Sequence, residues 1–355
     1  MRKRVSAVIK TGLVLLASLT LAFLLLKNPS VASRGIKNGL LTVGGVLIPS
    51  LFPFMTLACF IENSGVSEII GRGLSPVVRI VFHLPEDTAA TILMSFIGGF
   101  PVGAKMTDSL YREGKITSVE ASRMYLFCIN AGPAFTVSAV GSALLGSVRA
   151  GSIIFCSLTL SSLLIGAASG SIFSEKPEKR DKNKTVFQSK SVFSSVISSA
   201  SQATSSMLGI CALVLVFSAL CEGIKELNLS DNINCLLFSL LEVTNAVKSA
   251  CKLFPIPVIT AIIGFGGLCV HFQVLSGAIE CKMKIRYFLV SRLLNALLSS
   301  GICRVLLFLF PVDVSVFASG EKPTVLPYGI SLPCCIAFII MSISIIFDIA
   351  PKKKV

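Results

Sequence analysis

The sequence predicts an all-α polytopic membrane protein made of two inverted repeats, each with a broken re-entrant helical hairpin. Three observations lead there. Of 355 residues, 53% are hydrophobic and 14% charged, and the mean hydropathy is +0.83; a soluble domain carries about 25% charged residues. Apolar stretches long enough to cross a bilayer recur along the chain. Two further apolar stretches are each interrupted by a glycine pair, Gly98-Gly99 and Gly266-Gly267.

The elements follow in order. Residues 11–26, behind Met1-Arg2-Lys3-Arg4, read as an uncleaved first span with its N-terminus inside, because no small-residue cleavage site follows. Residues 38–61 form a second long helix bent by Pro49 and Pro53. Residues 62–79, punctuated by Gly65, Gly71 and Gly73, read as an interfacial amphipathic piece. Residues 88–104 are apolar, but Gly98, Gly99 and Pro101 leave them too short for a simple span. Residues 108–123 are polar and helical with a break at Gly114, and spans are expected at 124–146 and 150–173.

The loop 174–190 is strongly basic and therefore cytoplasmic. Spans then follow at 206–224, 288–310 and 326–347, with the glycine-broken stretch 255–277 among them. Seven full spans put the Lys352-Lys353-Lys354 tail outside, against the charge rule, so an eighth span is sought within 233–254. The resulting units are an N-terminal transmembrane helix (1–32), a first repeat (33–173), the basic loop (174–190), a second repeat (191–350) and a basic tail (351–355).

Gly98-Gly99 lies 168 residues before Gly266-Gly267, and the flanking sequences Phe96–Lys105 and Gly264–Gln273 share both glycines and a valine. Leu51–Leu57 similarly lies over Val214–Leu220. With one extra span ahead of the first half, the halves run in opposite directions. Inverted repeats with breaks at matching positions point to a secondary transporter with its site at the membrane midplane; paired glycines also serve simply as close-packing devices.

Glycine and proline release backbone groups from the helical ladder, and at membrane depth these must face protein or a wet cavity. Gly98, Gly99, Pro101 and Gly103 therefore form one candidate substrate-binding element, whose half-helix N-terminus suits a carboxylate. Lys105 follows and either pairs with an anion or snorkels to the interface. Asn130 and Pro133 mark a second break, as donors to a solute or as the cap of a kink. In the second half, Glu242, Thr244 and Asn245 are a polar cluster in an apolar setting, and an intramembrane carboxylate is a candidate proton or cation site. Gly266, Gly267, His271 and Gln273 complete the candidate set, with His271 able to titrate near neutrality or to hydrogen-bond a carbonyl.

Much is excluded. The net charge of +14 reads as topological, since no basic soluble domain with interleaved aromatics points to nucleic acid. Twelve cysteines without a C-x-x-C pair and two distant histidines suggest neither a metal site nor another cofactor. No catalytic or nucleotide-binding motif is present, so an enzyme and a primary pump are both disfavoured.

The motifs IPSLFPF, GGFPVGAK, REGKITSVEASRM and CINAGPAF, between Ile48 and Phe135, resemble the sporulation integral membrane proteins of the YlbJ type, within the nucleoside recognition or gate domain group. The second half matches more loosely: LEVTN at 241–245 fits, but the family more often has glycine where Ala246 stands. The resemblance covers about 34–347. It implies a fold related to concentrative nucleoside transporters, residence in the mother-cell-derived outer forespore membrane, and a small anionic substrate, dipicolinate, moved into the forming spore. It is also compatible with a homo-oligomer. A nucleoside transporter of the same fold group and a non-transporting membrane scaffold are the competing expectations.

Overall fold

The computed structural model describes residues 28–172, 191–278, 280–281 and 283–312. The expected spans at 11–26 and 326–347, the basic loop and the basic tail lie outside the described residues. Those described are helical, as expected, and five of their helices are long and apolar enough to cross a membrane.

The first is a near-continuous rod. Helix α1 (Pro29–Thr42) passes through a π-turn at Val43–Leu47 into α2 (Ile48–Asn63). The π-turn sits just ahead of Pro49, where the missing N–H would otherwise interrupt the ladder. Helix α3 (Val66–Val77) continues as a π-turn to Phe82 and makes a 103° angle with the segment Glu86–Gly98. Helices α4 (Ala89–Gly98) and α5 (Phe100–Arg112) then fold back on each other around Gly99.

Helix α6 (Ser118–Phe127) starts at a capping box, Thr117 accepting from Glu120 N while Glu120 accepts from Thr117 N. It stops at Phe127, and a π-helix resumes over Ala134–Leu144. The expected span 124–146 is therefore broken in its first third. Both pieces lie antiparallel against α7 (Val148–Ile172): a Cβ at Gly141 would lie 2.5 Å from Gly151 Cα, and Arg123 reaches Ser169 at the far end.

Helix α8 (Val192–Lys225) runs antiparallel to the α1–α2 rod, with Arg34 beside Glu222 at one end and Asn63 donating to Ser199 at the other, 2.9 Å. Helices α9 (Asp231–Leu241) and α10 (Val243–Leu253) form a second hairpin, closed by Cys235 beside Ala246 O. The stretch searched for an eighth span thus turns back on itself at Glu242. Helices α11 (Ile256–Phe265) and α12 (Gly267–Ala278) follow, and Ile256–Leu275 reads as one crossing unit, packed antiparallel on α13 (Ile285–Leu309).

This corrects the sequence pairing of the glycine doublets. Gly98-Gly99 turns a hairpin, whereas Gly266-Gly267 interrupts a span; the second half's hairpin turns at Leu241-Glu242 instead. Glycine pairs mark backbone freedom and do not specify whether the chain reverses there.

One core cluster joins both halves, with Phe82, Phe127, Ile154, Ile259, Ile263 and Phe288 all buried in it. The outer face of α13 is the opposite case: Leu297 is 71% and Phe308 85% exposed, as on a lipid-facing helix.

Candidate functional site

At the first hairpin tip, Gly99 has φ +85° and ψ −175°, a region that is essentially glycine-only. Pro101 stands in the first turn of α5, where its missing N–H is harmless. A Cβ on Gly103 would lie 1.9 Å from Cys128 O and 2.8 Å from Ser95 Cβ. Gly103 therefore lets both hairpin arms close against the break in the α6 span. The tip meets that break directly, since a Cβ at Gly99 would be 3.4 Å from Gly132 N and 3.9 Å from Asn130 O.

The break itself spans Cys128–Gly132 and leaves carbonyls without helical partners. Asn130 Nδ2 donates to Phe127 O at 2.6 Å. Arg292, reaching over from α13, donates to Leu126 O and Ile129 O through its two terminal nitrogens. Arg292 is 1% exposed. Pro133 precedes the π-helix at φ −62°.

At the second hairpin tip, Glu242 is extended and its carboxylate accepts from Thr244 N at 2.9 Å and Asn245 N at 2.8 Å. It caps α10 with its own side chain. Asn245 Nδ2 donates to Ser218 Oγ of α8 at 3.3 Å. The tip meets the break in the α11–α12 span: Gly266 and Gly267 have φ +86° and +73°, and a Cβ on Gly267 would lie 3.2 Å from Leu241 O. The carbonyls freed here go to neutral groups, Phe265 O to His271 Nε2 at 2.9 Å and Gly264 O to Asn295 Nδ2 at 3.3 Å. The His271 ring sits edge-on between Phe265 and Phe288.

The first hairpin tip also reaches the second break. Phe100 Cε1, just past the first tip, would be 3.7 Å from a Cβ on Gly266. A buried polar relay also links the two breaks: Ser162 of α7 donates to Asn130 Oδ1 and lies 3.3 Å from Asn295 Oδ1. Gly98, Gly99, Gly103, Asn130 and Pro133 thus gather on one side, with Glu242, Thr244, Asn245, Gly266, Gly267 and His271 on the other. Lys105 is directed elsewhere, donating to Gln202 O and Ser206 Oγ of α8, both at 2.8 Å. Gln273 lies against Cys269 at 3.5 Å.

Sequence reasoning missed Arg292, Asn295 and Ser162. Arg292 had a legible signal, an ionisable residue inside the apolar stretch 288–310. The serine and asparagine had none, since a small polar residue inside a helix can equally bond a carbonyl of its own preceding turn. Among the described residues no cluster of His, Cys, Asp and Glu is placed to hold a metal ion.

Chemically, the two half-helix N-termini differ. That of α10 is filled by Glu242, while that of α5 carries no side-chain cap. The α5 terminus, beside Asn130 and Gly132, is thus the better place for an anionic group.

Residues 45–175 match the family model described as Gate, nucleoside recognition. Over 328 residues the chain is 23% identical to the sporulation integral membrane protein YlbJ of Bacillus subtilis (strain 168), covering 81% of this chain and 80% of that one. No solved structure matches the chain. Residues 45–175 are thus similar to a nucleoside-recognition gate domain, and the chain as a whole is similar to the sporulation integral membrane protein YlbJ.

Proposed function

We propose that the protein is a secondary transporter or facilitator of a small carboxylate, dipicolinate, acting in the outer forespore membrane during spore formation. The observation that carries this reading is the meeting of two hairpin tips with the breaks of two spans, Gly99 against Asn130–Gly132 and Gly267 against Leu241–Glu242. Non-helical backbone at membrane depth is tolerated where it lines a solute path. The α5 N-terminus, which no side chain caps, offers backbone N–H groups at the first of these meetings, which suits a carboxylate.

The same geometry supports two inverted repeats in a new register. The series long helix, hairpin, broken span, closing helix runs as α1–α2, α4–α5, α6 with the π-helix, and α7. It runs again as α8, α9–α10, α11–α12 and α13. The antiparallel pairing of the α1–α2 rod with α8 is what inversion requires. The interfacial segment around α3 is the first repeat's insertion.

Proteoliposomes test the reading. Dipicolinate uptake is expected in the wild type and lost in Gly99→Leu, while the variant still inserts; wild-type vesicles that take up no dipicolinate would sink the proposal. Nucleoside transport is the second reading, favoured by the family description. Uridine uptake without dipicolinate uptake would select it.

A further inference from the structure

A cavity of about 460 Å³ opens far from the hairpin tips, among the ends of four elements. Its walls include Leu144 and Leu145 after the π-helix, Phe254 and Ile256 between α10 and α11, and Leu307 of α13. Two of its lining residues are charged, Lys248 and Lys252, and both are exposed. They stand one helical turn apart on α10 and so share a face. Among the described residues, no aspartate or glutamate lines the cavity. Lys248 donates to Thr42 Oγ1 at 2.8 Å, which uses one of its three N–H groups.

We propose that this cavity is a binding site for an anionic membrane lipid, with its phosphate on Lys248 and Lys252 and part of one acyl chain against the apolar wall. Four features favour that occupant. The volume is in the range of ligand pockets, about 300–1,000 Å³. The charged side chains described in its wall are both cationic, so they complement a phosphate better than a neutral sugar or a cation. The remainder is aliphatic and aromatic, which a free phosphate would leave unfilled. The cavity also lies where helices end, at the head of α7 and the foot of α13 and away from the Ile172 end of α7, as a headgroup site would. The lipid would wedge α10 against α11 and so brace the second hairpin.

The test is native mass spectrometry of the full-length protein, delipidated in detergent and titrated with phosphatidylglycerol or phosphatidylcholine. Phosphatidylglycerol should be retained at least about fivefold better. Lys248→Ala with Lys252→Ala should abolish that preference, and so should Leu307→Trp, which fills the cavity and leaves both lysines in place. Arg304→Ala, a basic residue elsewhere on α13, should leave it unchanged. Equal retention of the two lipids would overturn the proposal, as would an unaffected lysine double variant. Displacement of the lipid by millimolar glycerol phosphate would also overturn it, by showing a phosphate site that ignores the chain.

Discussion

The two broken spans solve one problem with different chemistry. In the first, five residues from Cys128 to Gly132 leave the helix, and carbonyls at its end are held by a guanidinium from another helix. In the second, two left-handed glycines make the break, and the freed carbonyls find one imidazole and one amide. A wide break exposes several acceptors that point together, and only arginine offers several donors on one rigid fork. A narrow break leaves acceptors that single neutral donors can serve. The first break therefore depends on a distant residue and the second chiefly on its neighbours.

The largest expected effect breaks that dependence. Arg292→Met leaves Leu126 O and Ile129 O buried and unpaired, and each such group costs about 1–3 kcal/mol. Relief of the cation's own burial offsets part of this, but methionine cannot serve either carbonyl, so the melting temperature in detergent should fall markedly. Asn295→Ala releases one carbonyl held at 3.3 Å and should lower it much less. Equal drops would show that both breaks lean equally on α13.

A middle-sized effect separates the glycines. Gly99 and Gly266 both have positive φ, but ψ is −175° at Gly99 and −19° at Gly266. Asparagine visits the left-handed region readily and the extended positive-φ region hardly at all. Gly99→Asn should cost about 1–3 kcal/mol, while Gly266→Asn should fall well below the ~1–2 kcal/mol of an ordinary residue there. Neither site is short of space, the nearest atoms lying at 3.4 Å and 3.5 Å. Thermal shifts of the two variants in the same detergent measure the difference.

Both breaks were legible in the sequence because glycine and proline act locally. Asn130 was legible too, since it lies beside Gly132-Pro133 and bonds Phe127, three residues away. Which break is a hairpin was not legible. That depends on what each arm packs against, and Gly103 on Cys128 O is a contact between elements. Nor does composition reveal that α9 and α10 turn back at Glu242, because Leu241-Glu242 contains no helix breaker. Arg292 was visible as a charge in an apolar stretch, but its partners are carbonyls more than 160 residues away, which no local pattern encodes.

Glu242 offers the finest test of the comparison, because its geometry and its charge suggest different roles. The carboxylate is spent on Thr244 N and Asn245 N, which makes it a helix cap. An intramembrane carboxylate is equally the group expected to carry a coupling proton. Glu242→Ala removes both bonds and should cost about 1–2 kcal/mol, as other lost caps do. Glu242→Gln keeps one acceptor oxygen and the same length, so its melting temperature should fall between alanine and wild type. As a cap, glutamine should leave uptake driven by a pH gradient within about twofold of wild type. As a proton carrier it cannot, because an amide does not titrate. Stable Glu242→Gln protein with gradient-driven uptake abolished would therefore reassign the second hairpin tip from a structural turn to the coupling site, and would make the chemical difference between the two tips the basis of the transport cycle.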